Sequence, residues 1–198
     1  MAAGSENRDY ETLIEAARVL PGVDFLVAAG SHWARRTATP GIAPPPDNVE
    51  FLREPLDFAA LRDCYARATA IVVPLFDVEN QSGVTTILEA MSMGRAVVVS
   101  ATRGQQECVA GPLVEASGAC NVPATASRGP LHFFGEAASG TWTGVYVPPG
   151  DARALAAALG MLSTGNHTFD SERIRKVAAT YFDTSAFTRR LVSELVSS

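Results

Sequence analysis

The residues best suited to chemistry lie in a polar loop and in the helical pattern that follows it. The loop runs from Phe76 to Gly83, and the pattern continues through Thr86 to the carboxylate of Glu89, which stands among apolar neighbours. A helix N-terminus has unpaired backbone N–H groups and the positive end of the helix dipole, so it suits a phosphate. We therefore predict that phosphates of a ligand bind at Ser82–Thr86 and that Glu89 holds a hydroxyl of the same ligand.

Two strand patterns flank this loop and helix. Ile71–Val73 and Val97–Val99 are runs of β-branched residues, which are typical of strands buried on both faces of a parallel sheet. Gly94 stands where the C-terminus of a helix favours glycine. Ser82 could also serve as the N-cap of the helix, a role compatible with phosphate binding. The stretch Ala70–Ser100 therefore predicts a strand, a loop, a helix and a strand in succession.

The same alternation of strands and helices extends over most of the chain. It predicts an α/β fold, a Rossmann-like doubly wound parallel sheet with helices on both faces. Ligands of such sheets bind at the carboxyl ends of the strands. We expect four loops with polar residues at that edge, following Gly4, Leu52, Leu75 and Ser100.

Composition supports a single folded domain over residues 1–198. Hydrophobic residues make up 47% of the chain and charged residues 19%, which suffices for a hydrophobic core. The net charge of −5 argues against a general nucleic-acid-binding surface. Three cysteines without metal-ligand spacing, and the lack of a membrane-span or signal-peptide pattern, indicate a cytoplasmic protein and no metal site. Peripheral contact with a membrane stays open.

One long stretch shows no periodicity. Pro112–Thr141 is rich in Ala, Gly, Ser and Pro and separates the central unit from a final strand at Gly144–Val147. A run of this length without secondary structure is unusual inside a compact domain. We interpret residues 112–141 as a flexible insertion that is a mobile lid, a partner site or a disordered segment.

Four stretches of the sequence together resemble a known family. They are AGSENRDYETLIEAA near the N-terminus, NVEFLREPLDFAALRDCYARATAIVVP, LEAMSMGRAVVVS and GVYVPPGDARALAAAL. In this order they resemble the C-terminal, donor-binding half of a GT-B glycosyltransferase, in particular the retaining family 4. The resemblance implies transfer of a sugar from a nucleotide-diphosphate sugar, which is the substrate, without a divalent metal or other cofactor.

The resemblance also implies roles for individual residues. Glu89 matches the second of two family glutamates and would contact the ribose. Gln81 occupies the position of the first, and its amide would contact the donor sugar; Glu79, two residues earlier, is the alternative. Arg8 stands where the family has a lysine that reaches the diphosphate. The catalytic residues would thus be Gln81, Glu89 and Arg8, and the nucleotide sugar would be bound by Gly4, Ser5, Leu52, Arg53, Ser82, Gly83, Val84, Thr85, Thr86 and Gly104.

The family's N-terminal, acceptor-binding half is expected to be missing, and this leaves more than one function open. The first hypothesis is the donor-binding domain of a retaining glycosyltransferase that needs a separate acceptor-binding half or self-associates through its uncovered face. The alternative is a non-catalytic nucleotide-binding or partner-regulating module with the same fold, which Gln81 in place of a glutamate favours. A doubly wound domain for another nucleotide is a third hypothesis, although no G-x-G-x-x-G fingerprint follows the first strand.

Overall fold

The chain folds around a mostly parallel sheet, seen in a computed structural model that describes residues 1–29, 44–52, 54–103, 132–136, 141–164, 169–185 and 188. The strands are β1 (Ala2–Ala3), β2 (Phe25–Ala28), β3 (Val49–Phe51), β4 (Ala70–Val73), β5 (Ala96–Ser100), β6 (His132–Glu136) and β7 (Thr141–Val147). The helices are α1 (Tyr10–Arg18), α2 (Phe58–Arg67), α3 (Val84–Ser92), α4 (Ala152–Ser163) and α5 (Ser171–Tyr181).

The order of the strands creates a switch point in the sheet. Among the described residues the order is β3-β2-β1-β4-β5-β7-β6, and all neighbours are parallel except the antiparallel pair β6–β7. The chain builds outward from β1 through β2 to β3, then returns to place β4 on the other side of β1. Loops at the carboxyl ends of β1 and β4 therefore leave in opposite directions and open a crevice, as in other doubly wound sheets.

Both faces of the sheet are covered by helices, which confirms the predicted doubly wound fold. On one face, Leu13 of α1 and Leu155 of α4 pack in a core cluster with Val98 of β5. On the other face, Ile87 of α3 and Ile174 of α5 pack in a second cluster, which also contains residues of α2. All side chains of β4 and β5 are buried, as expected for strands between two helical layers.

The structure differs from the sequence-based expectation near the far edge of the sheet. Residues 132–136 form β6 inside the stretch for which no regular structure was expected, and β7 begins at Thr141 rather than at Gly144. Aromatic and β-branched residues in HFFGE and TWTGVYV favour strands. Both segments are short and have Gly and Ser nearby, so the strand pattern is not evident from the sequence. The rest of the stretch 112–141 lies outside the described residues. None of the helices described is long and apolar enough to cross a membrane.

A buried serine fixes the loop that leaves β4. The Leu75 N–H donates to the Ser100 hydroxyl at 2.9 Å, and both residues are buried. Ser100→Ala removes that acceptor and leaves a buried N–H unpaired, which costs about 1–3 kcal/mol. Ser163→Ala is the matched control, because the Ser163 hydroxyl donates to Gly160 O on an exposed surface.

We expect Ser100→Ala to lower the free energy of unfolding, measured by urea denaturation, by at least about 1 kcal/mol, and Ser163→Ala to change it by less than about 0.5 kcal/mol. Equal effects of the two substitutions would show that Ser100 does not stabilise the loop.

Candidate functional site

Two loops meet at the switch point, one after β1 and one after β4. The Asp9 N–H donates to Pro74 O at 3.0 Å, and the Phe76 N–H donates to Asn7 O at 3.1 Å. The side-chain amide of Asn7 also donates to the Ser82 hydroxyl at 2.8 Å. These bonds join the two loops into one unit at the carboxyl ends of β1 and β4, where the sequence predicts the site.

The guanidinium of Arg8 lies buried between these loops, with 3% of the residue exposed. It donates through Nε to Ala3 O (3.0 Å), through Nη1 to Glu6 O (2.8 Å) and through Nη2 to Thr86 Oγ1 (3.2 Å). All three acceptors are neutral, and no carboxylate oxygen of the described residues lies within 4.0 Å of the guanidinium. Burial lowers the pKa of Arg8, but an arginine still keeps its proton. The crevice thus contains a buried positive charge that makes no ion pair with a described carboxylate, and the charge of Glu6 acts on it only at longer range.

Two glycines make room for this guanidinium. Gly4 (φ +92°) and Gly83 (φ +81°) have left-handed backbone conformations. A Cβ on Gly4 would lie 2.7 Å from Arg8 Nη2; on Gly83 it would lie 2.6 Å from Val73 Cγ1 and 3.2 Å from Arg8 Nη2. Neither position accepts a side chain at these distances, so the guanidinium lies directly beside the N-cap of α3.

The N-terminus of α3 differs from the other described helix starts. Asp side chains accept N–H bonds at the starts of α1, α2, α4 and α5, at Asp9, Asp57, Asp151 and Asp170. The N-cap of α3 is Gly83, with no side-chain cap and no acidic residue in the first turn. Among the described residues, the backbone N–H groups of Val84, Thr85 and Thr86 have no acceptor. This helix end therefore presents donors and a positive dipole to the crevice.

Ser82 is not the N-cap of α3, contrary to one of its two expected roles. The Ser82 hydroxyl is buried and accepts hydrogen bonds from the side-chain amides of Asn7 (2.8 Å) and Asn80 (3.3 Å). The left-handed backbone of Gly83 moves the first helical turn past Ser82, so the serine joins the loops instead of capping the helix.

Glu89 lies about one and a half turns beyond the start of α3 and is held by a tyrosine. The hydroxyl of Tyr65, on α2, donates to Glu89 Oε2 at 2.9 Å. Burial and then the neighbouring carboxylate raise the pKa of Tyr65, so its hydroxyl keeps its proton and remains a donor. Two hydrogen bonds thus hold side chains of α3 at the crevice, one from Arg8 to Thr86 and one from Tyr65 to Glu89.

Two residues of this network were missed as site residues. Asn7 appears in the sequence only as part of a polar turn, and its positive φ of 52° is invisible there. Tyr65 follows Phe58 and Leu61 at helical spacing, which predicts the apolar face of a helix, and it is 2% exposed. The available signal was its hydroxyl, because a buried tyrosine hydroxyl usually finds a hydrogen-bond partner.

The residues expected to face the donor sugar lie at the rim of the crevice. Gln81 is exposed. Glu79 forms an ion pair with Arg103 (2.7 Å), in which the two side chains are 77% and 58% exposed respectively. Exposed ion pairs contribute little to stability, so this pair does not fix the position of the Glu79 side chain. The sugar-side roles of Gln81 and Glu79 stay predictions.

The remaining predicted contacts divide into described and undescribed positions. Gly4 and the exposed Ser5 lie at the carboxyl end of β1. Leu52 is half-buried directly after β3, which β2 separates from β1. Arg53 and Gly104 lie outside the described residues. The described part of the chain contains no group of three His, Cys, Asp or Glu side chains that could hold a metal ion.

A family model matches the chain from residue 3 to residue 119 and carries the description Glycosyl transferases group 1. The match includes the loops after β1 and β4, the whole of α3, and Tyr65. The chain belongs to this family. No curated protein sequence matches it at a significant level.

Solved structures of glycosyltransferases share the fold of this group 1 chain. Sucrose-phosphate synthase from Thermosynechococcus elongatus matches with a TM-score of 0.61 and 20% identity, over 99% of this chain and 45% of that one. A glycosyltransferase from Rickettsia africae matches at 0.61 and 16%, over 97% and 46%. Anabaena HepE, solved in complex with UDP-glucose, matches at 0.57 and 17%, over 100% and 49%. This chain therefore has the fold of about half of each of these proteins, like a GT-B C-terminal domain.

The glycine at the start of α3 allows a direct test of the crevice. Gly83→Ala adds a Cβ against Val73, which is fully buried, and against Arg8. Gly150→Ala is the matched control, because Gly150 has a similar φ of +72° but no atom within 4 Å of a new Cβ. We expect Gly150→Ala to cost about 1 kcal/mol of unfolding free energy through backbone strain, and Gly83→Ala about 2–4 kcal/mol through strain and overpacking. Equal losses in urea denaturation would contradict the tight packing at Gly83.

Proposed function

We propose that this group 1 glycosyltransferase chain binds a nucleotide-diphosphate sugar at the crevice and forms the donor site of a retaining transferase. The chain spans about half the length of its structural neighbours, so the proposed acceptor site belongs to a separate acceptor-binding half. On the cysteine pattern we place this reaction in the cytoplasm.

The buried charge of Arg8 carries this proposal. Removing a cation from water without a paired anion costs several kcal/mol. The guanidinium of Arg8 has only neutral acceptors, and the uncapped N-terminus of α3 adds positive potential beside it. A diphosphate at Val84–Thr86 would neutralise both, so the crevice is suited to a doubly charged phosphate ligand.

Glu89 is the proposed partner of the ribose. Glu89 lies three to five residues from the N–H groups of Val84–Thr86, about 5–8 Å along the helix axis, and we infer that one nucleotide bridges this span between its diphosphate and its ribose. A carboxylate accepts hydrogen bonds from hydroxyl groups through both oxygens. The base would then extend toward Leu52 and Arg53, and the sugar toward Gln81 and Gly104.

The chemistry proposed for this half is stabilisation of the leaving group. A nucleoside diphosphate gains negative charge as the bond to the sugar breaks, and fixed donors stabilise that charge because they need no reorganisation. The first-turn N–H groups of α3 and the guanidinium of Arg8 supply such donors and charge. We propose that this positive potential replaces a divalent metal, so chelation by EDTA should leave nucleotide binding unchanged.

A second function is favoured by one observation, the exposed amide of Gln81 at the position of a family glutamate. The chain would then bind the nucleotide sugar without transferring it, as a regulatory module. A transferase is expected to hydrolyse a bound nucleotide sugar slowly and to release free sugar, whereas the regulatory module is expected to leave the nucleotide sugar intact.

The test is calorimetric titration of the chain with UDP, GDP and ADP, with and without EDTA. We expect one of the three diphosphates to bind. Glu89→Gln should lower the affinity for it roughly 10- to 100-fold, because hydrogen bonds to a charged group contribute about 1.5–3 kcal/mol. Glu15→Gln, on the exposed side of α1, removes the same charge and is expected to leave the affinity unchanged. The proposal would be overturned if the folded chain binds none of the three nucleotides, or if the Glu89→Gln variant binds the diphosphate as tightly as the unaltered chain does.

A further inference from the structure

Two hydrogen bonds hold side chains of α3 between the phosphate end of the crevice and Glu89. Arg8 Nη2 donates to Thr86 Oγ1 at 3.2 Å. Tyr65 donates to Glu89 Oε2 at 2.9 Å. The Tyr65 hydroxyl therefore determines where this carboxylate oxygen lies.

Tyr65 is the rigid member of the pair that it forms with Glu89. It is 2% exposed and belongs to the core cluster with Ile87 and Met91, so its ring is fixed by close packing. Glu89 is only half-buried, and its carboxylate has no other hydrogen bond to a described residue. Without the Tyr65 hydroxyl, the Glu89 carboxylate could turn about its side-chain bonds toward solvent.

We propose that Tyr65 is a positioning residue that orients Glu89 for the ribose of the nucleotide and thereby selects ribonucleotides over 2′-deoxyribonucleotides. The inference rests on the proposed binding of the ribose by Glu89. With Oε2 held by Tyr65, Oε1 and the second lone pair of Oε2 face the ligand in one orientation, which suits two neighbouring hydroxyl groups. A nucleotide that lacks the 2′-hydroxyl leaves one of these acceptors unused.

The decisive experiment compares Tyr65→Phe with the unaltered chain in titrations with UDP, GDP and ADP and with dUDP, dGDP and dADP. The unaltered chain is expected to bind its ribonucleotide roughly 10-fold more tightly than the 2′-deoxy form. Tyr65→Phe is expected to lower the affinity for the ribonucleotide roughly 5- to 10-fold and to leave the affinity for the 2′-deoxy form nearly unchanged. The discrimination between the two nucleotides is then lost. Tyr146→Phe, another buried tyrosine of the same core cluster, is the control and should keep the discrimination.

The ratio of the two affinities separates positioning from a merely structural role. A general loss of stability lowers the affinities for both nucleotides equally. An equal loss in Tyr65→Phe would therefore overturn the inference. Unchanged discrimination in Tyr65→Phe would overturn it too, and the proposed donor site would stand if Glu89→Gln still weakens binding. A chain that binds no diphosphate would overturn both proposals.

A second variant keeps the test decisive if Tyr65→Phe does not fold. Glu89→Gln removes the charge that Tyr65 orients, so the contribution of Tyr65 to the discrimination between the ribonucleotide and its 2′-deoxy form should disappear. Full discrimination in Glu89→Gln would contradict the role of Tyr65.

Discussion

The buried guanidinium of Arg8 is the interaction on which the rest of the crevice depends. Its N–H groups hold the carbonyls of the loop after β1, and one reaches Thr86 on α3. A side chain on Gly4 would clash with that guanidinium, and one on Gly83 would clash with Val73 and crowd the guanidinium. A single side chain therefore fixes the relative positions of two loops and one helix end, and it places its charge where these elements meet.

The positive potential of the crevice is local, because the chain as a whole has a net charge of −5. Four of the described helices begin at an aspartate, which neutralises the helix end. The helix that follows the switch point begins at a glycine instead and leaves its first N–H groups available. The uncapped helix end beside a buried arginine therefore favours an anion at this one place, although the chain as a whole has a net negative charge.

The sequence was sufficient to predict the fold and the location of the crevice, because both depend on local patterns. The Val-rich runs of β4 and β5 and the amphipathic pattern of α3 specify a buried parallel unit. The alternation of strands and helices implies a doubly wound sheet with its polar loops at the carboxyl ends of the strands. Contacts between distant residues were not predictable in this way. The partner of Glu89 comes from α2, and the left-handed backbone of Asn7 and the displacement of Ser82 from the N-cap depend on how the two loops pack. Strand β6 was missed because its aromatic residues lie in a stretch dominated by Gly, Ser and Ala.

The central claim, that a diphosphate binds at the uncapped end of α3 beside Arg8, is tested most directly by amide NMR shifts. The ¹⁵N-labelled chain would be titrated with UDP, GDP and ADP while the backbone N–H signals are followed. We expect the tightest of these ligands to shift the Val84, Thr85 and Thr86 amides most strongly, because new hydrogen bonds form to those groups. Saturable binding that shifts other amides and leaves these three unchanged would contradict it.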